Sequence, residues 1–71
     1  MAYELTPEEK RSIVNGQIRN VLYRKYTAEV ELIVENAVAT PNDQKVSDLN
    51  AEIAKCEDQH DALTAELERI A

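Results

Sequence analysis

From Val46 to the end of the chain, the residues suited to burial recur at intervals of three, four, three, four, three, four and three. They are Val46, Leu49, Ile53, Cys56, His60, Leu63, Leu67 and Ile70. This is an a/d heptad sustained through a whole helix, with Val46, Ile53, His60 and Leu67 at a and Leu49, Cys56, Leu63 and Ile70 at d. The positions beside it (Lys45, Asn50, Glu52, Glu57, Gln59, Thr64 and Glu66) are polar, and Asp48, Asp58, Asp61, Glu68 and Arg69 occupy the far side. A stripe so narrow predicts a helix that packs along one line, as in a coiled coil.

The first half of the chain has a wider apolar surface. Wound at 100° per residue, Val14, Ile18, Val21, Ala28 and Leu32 line one side, while Leu22, Tyr26, Ile33, Ala37, Tyr23 and Val30 carry the apolar surface further round. One neighbouring helix needs only a narrow seam. The extra breadth predicts that the first helix contacts the second and also another chain. Lys25, Glu29 and Asn36 interrupt this face, and the expectation is that Lys25 and Glu29 pack their stems and pair their charges with each other or at the rim.

Two start signals set the boundaries. "TPEE" from Thr6 and "TPND" from Thr40 each offer a capping Thr, a Pro suited to the first helical position and an acid that reaches back to the cap. They predict helices over about 7–38 and 41–70, with a turn near 39–40; a later start capped by Ser47 is the alternative for the second. Asn15–Gly16 could mark a break, yet Val14 and Ile18 share a face when the helix runs through, so a continuous helix is expected. The fold class is therefore all-α: an antiparallel two-helix hairpin over residues 1–71, assembling as a homodimeric four-helix bundle or long coiled coil.

Composition sharpens the case for self-association. Seventy-one residues with no Phe and no Trp make a small core, and chains of this size usually need a disulfide, a metal or a partner. A single cysteine excludes an internal disulfide and fits a reducing compartment. The start, "MAYELTPEEK", has neither the basic nor the apolar stretch of a signal peptide, and the longest run of large apolar residues, "LIV", is far too short for a membrane span. A cytoplasmic protein is expected. The net charge of −6 gives no long-range attraction for phosphate, which argues against nucleic acid as a partner.

Candidate chemistry is sparse. Cys56 and His60 stand one helical turn apart, and two chains could offer four ligands to a tetrahedral metal. Both, however, are consecutive seam positions, free Cys is commonly a core residue, and no second Cys or His is present. Burial in the core is the expectation, with a metal and an intermolecular Cys56 disulfide as the alternatives. A buried His60 would loosen the assembly on protonation near pH 6. "RNVLYRKY", Arg19 to Tyr26, is the one basic–aromatic stretch; Arg19, Tyr23, Arg24 and Tyr26 suit a protein hot spot and, secondarily, a nucleic acid. No nucleophile stands with a base and an orienting acid, and no Gly-rich loop could cradle a phosphate. Neither an enzyme nor a cofactor is expected.

The segments "LTPEEKRSIVNGQIRNVLY", "LIVENAVATPN" and "LNAEIAKCE" resemble small proteins of unknown function encoded by large tailed phages of marine cyanobacteria. The resemblance covers most of the chain. It implies a setting, an infected bacterial cell, and the role of a virion component, an assembly factor or a host-directed regulator; it supplies no functional residue.

Overall fold

In a computed structural model, which describes residues 4–70, the chain forms two helices packed against each other: α1, Pro7–Asn36, and α2, Asp43–Arg69. The hairpin is a rod of 61 × 20 × 14 Å. The described residues contain no strand.

α1 begins as its sequence dictates. The Thr6 hydroxyl accepts from the Glu9 amide at 3.1 Å and the Glu9 carboxylate accepts from the Thr6 amide at 3.0 Å. This reciprocal pair satisfies two of the amides that a helix start otherwise leaves without partners. The helix then runs unbroken through Asn15–Gly16 to Asn36. It stops two residues short of the expected Val38. Pro41 has no N–H and would strike the carbonyl four residues before it, and it drives Thr40 out of helical backbone, so the winding must finish earlier. The last turn tightens instead, with the Ala37 and Val38 amides donating to the Val34 and Glu35 carbonyls.

The start of α2 differs from the sequence expectation. Neither Thr40 nor Ser47 is the cap, Pro41 is outside the helix, and the connection is the longer stretch 37–42 rather than a turn at 39–40. Asn42 is the cap: its side chain accepts from the Lys45 amide at 3.0 Å, and its carbonyl accepts the first helical bond, from Val46, at 3.0 Å. Asn ranks above Thr as a cap, and here α1 selects it. One Glu35 oxygen accepts from the Asn42 amide at 3.1 Å, while the other meets Lys45 Nζ at 3.3 Å. The final turn of α1 therefore fixes where α2 begins. At the far end, Ile70, expected inside the helix, serves as its C-cap.

The core lies along one line. On α2 every residue of the heptad is buried or half-buried, Leu49 and Cys56 most completely. On α1 the inward row is Arg11, Val14, Ile18, Val21, Lys25, Ala28, Leu32 and Glu35, which is itself spaced three and four. Val21 is 2% exposed and Cys56 0%. Each helix thus gives the other only a narrow seam. Among the described residues, every buried side-chain nitrogen and oxygen has a hydrogen-bond partner.

Candidate interaction surface

The seam occupies only one side of α1, and the structure divides its broad apolar face in two. Val14, Ile18, Val21 and Leu32 turn toward α2. Leu22, Tyr23, Tyr26, Val30, Ile33 and Val34 remain in solvent, from 39% exposed at Val30 to 75% at Tyr23. The centre of this outer band lies about 140° around the helix from the seam, at 100° per residue. Tyr23, Tyr26, Val30 and Ile33 follow one another at intervals of three, four and three, so α1 bears a second heptad stripe facing away from its own partner.

Local bonding keeps the band apolar. The Thr27 hydroxyl, which would interrupt it, donates back to the Tyr23 carbonyl at 2.8 Å and is satisfied within the helix. A shallow groove runs between Tyr23, Tyr26, Thr27, Val30 and Glu31, and another lies along the edge where Arg24 and Ala28 meet Leu49 and Glu52. Toward the N-terminus the same side of α1 becomes polar, with Glu8, Ser12, Asn15, Gly16 and Arg19.

The basic–aromatic stretch is split by the fold. Arg24 reaches across to α2, its Nη2 donating to Gln59 Oε1 at 3.0 Å and its Nη1 lying 4.0 Å from Glu52 Oε1. Lys25 Nζ stands 4.0 Å from the Glu29 carboxylate one turn on. Arg19 is left beside Tyr23 and Tyr26 on the outer side, so the four residues Arg19, Tyr23, Arg24 and Tyr26 do not form one basic surface.

Cys56 and His60 are likewise separated by their surroundings. Cys56 is enclosed, with Sγ 3.6 Å from Glu52 Oε1, and burial followed by the neighbouring Glu52 carboxylate pushes its thiol above the ordinary range. A thiol held protonated and without access is a poor metal ligand and cannot meet a second Cys56 without opening the seam. His60 is only half-buried. It faces a notch formed by Leu22, Lys25, Glu57 and Asp61, with Nδ1 3.5 Å from Asp61 Oδ1. The expectation of a deeply buried histidine is therefore corrected: its neighbours are long side chains that leave the ring open to water. Among the described residues, no group of three or more His, Cys, Asp or Glu side chains is placed to hold a metal ion.

Two features escaped the sequence reading. Val34 flanks the band beside Val30 and Ile33, and its place next to a second three–four run was the available signal. The Glu35–Asn42–Lys45 cluster had none, because residues seven and ten apart across a turn meet only after folding.

Fold and surface together define a two-helix hairpin with an unpaired apolar face. No described helix is long and apolar enough to cross a membrane. Comparison of the chain with protein-family models, with curated proteins and with solved structures finds no match.

Proposed function

We propose that this chain is a non-enzymatic helical hairpin that works by protein–protein contact, and that two copies associate through the outer face of α1. The observation that carries this reading is the exposed apolar band Leu22–Val34, whose middle, Tyr26, Val30 and Ile33, faces away from α2 while Leu22 at its edge borders the His60 notch. The hairpin's own core supports it. Among the described residues only Val14, Val21, Ala28, Leu49 and Cys56 are buried hydrophobics, too few to hold a chain of this length by themselves. Covering the exposed parts of two facing bands gives on the order of 10–20 kcal/mol, against an association cost of about 4–15 kcal/mol. The gain exceeds the cost over most of these ranges, so association is the expected result. The phage resemblance gives the setting: a virion component, an assembly factor or a host-directed regulator in an infected cell.

Native mass spectrometry of the untagged protein tests this directly. A dimer at twice the bare chain mass, lost on changing Tyr26 and Ile33 together to Glu, agrees with the reading. A monomer at tens of micromolar refutes it. Salt-sensitive binding of RNA or DNA by that monomer, abolished by Arg19→Glu, would instead make the basic–aromatic stretch a nucleic-acid contact.

A further inference from the structure

The outer band of α1 has an internal order that says what covers it. Its residues pair off about Ala28 at equal distances along the chain: Leu22 with Val34, Tyr23 with Ile33, and Tyr26 with Val30. Laid antiparallel on a copy of itself, with the two-fold axis level with Ala28, the helix layers Tyr26 with Val30 and Tyr23 with Ile33, apolar against apolar, and sets Leu22 and Val34 level on the two flanks. A parallel pairing would also match apolar to apolar, so the polar residues must decide between the two.

They decide for antiparallel. Of the charged residues along α1, Arg11, Lys25, Glu29 and Glu35 are half-buried toward α2 and Arg24 reaches across to it, so the charge that stands in line with the outer band is Arg19. Parallel copies would set each Arg19 beside the other at the contact, like charge against like, whereas antiparallel copies separate the two arginines by the length of the band. Arg19, which continues the line of the band, then comes level with the partner's Ala37. There the last turn of α1 has no basic residue, and its carbonyls carry the negative end of the helix dipole. The extent of the band agrees as well. Overlap of the two α1 helices about Ala28 ends near position 20, and on the outer face the residues before that point are polar, as they should be where no partner lies.

We propose, resting on the self-association reading above, that the occupant of this face is a second copy of the chain with its α1 antiparallel in that register, each Arg19 capping the C-terminal end of the partner's α1. Because the band stands about 140° from the seam, rather than the right angle of a square bundle, the four helices form an open layer. The two α1 helices lie in the middle, and the α2 helices lie outside without touching.

The test is a distance between spin labels in the intact dimer. A label at Gln17→Cys sits on an exposed part of α1 beyond the overlap, and the enclosed Cys56 takes none, as labelling of the wild type will verify. Antiparallel pairing about Ala28 separates the two labels by about 33 Å along the axis, at 1.5 Å per residue, whereas parallel pairing brings them within about 20 Å. Native mass spectrometry on the same sample separates the two failures. No dimer overturns the self-association reading, while a dimer with a short distance overturns the register alone. Arg19→Glu, which puts an acid at the partner's helix end, is expected to weaken the dimer at least 10-fold with Arg19→Lys near wild type; equal dimerisation of all three would overturn the capping role.

Discussion

Changing Ile33 to Ala separates a solvated outer face from a shared one by the sign of its effect. Ile33 is 68% exposed in the hairpin. In a monomer, trimming it costs almost no packing and exchanges a β-branched residue for the best helix former, so stability should stay level or rise by a few tenths of a kcal/mol. In the dimer, three carbons per copy lose their cover. At about 0.8 kcal/mol per buried carbon, scaled by the exposure left to be removed, the loss is about 1.5 kcal/mol per copy and about 3 kcal/mol per dimer. That is roughly a 100- to 200-fold weaker Kd at 1.4 kcal/mol per tenfold. Thermal melts followed by circular dichroism, run from 2 to about 200 μM chain, measure this because folding and association are linked by mass action. The expected result is a melting midpoint that rises with concentration in both proteins and is lower in the variant throughout. A variant as stable as the wild type, with midpoints independent of concentration, would refute the reasoning.

Three further outcomes follow from single side chains. Gly16 lies in a continuous helix where an added Cβ would meet nothing within 4 Å, so Gly16→Ala should stabilise by about 0.5–1 kcal/mol in denaturant titration; a loss would mean that the position is packed. The Asn42 amide and then Lys45 hold the Glu35 carboxyl below its ordinary value of 4.5. That stability is complete above the unfolded-state value and is lost as pH falls through the lower folded one, so wild type should lose more stability than Glu35→Gln as pH drops from about 5 to 3, and parallel melting curves would count against the cluster. Cys56 is enclosed and its thiol is raised, so alkylation at pH 8 should be at least about 100-fold slower than in urea and should track global opening; rapid native labelling would show that the seam opens locally.

The sequence alone determined the number of helices, the seam of α2 and the start of α1, because each is written in local terms. The three–four spacing from Val46 to Ile70 specifies a face whatever it packs on, and Thr6 and Glu9 close their capping box within one turn. The continuity of α1 through Gly16 was legible for the same reason, since Val14 and Ile18 align only if the winding continues.

Tertiary structure decided the rest. Thr40 and Asn42 both have capping chemistry, and the choice fell to Asn42 because Glu35, seven residues earlier, binds its amide once the chain has turned. Composition left Arg24 free to join Arg19 and the tyrosines, but α2 draws its guanidinium across the seam to Gln59 and Glu52. His60 and Cys56 share one heptad stripe and nevertheless differ in exposure, because Leu22 and Lys25 leave a notch at one and the helices close completely over the other. Periodicity could say that α1 is apolar over more than one side; only the placement of α2 against Val14, Val21 and Ala28 left Tyr23, Tyr26 and Ile33 without cover. A local pattern gives a residue's direction around its own helix, whereas burial depends on which neighbour arrives there, and that neighbour is set by contacts between residues far apart in the chain.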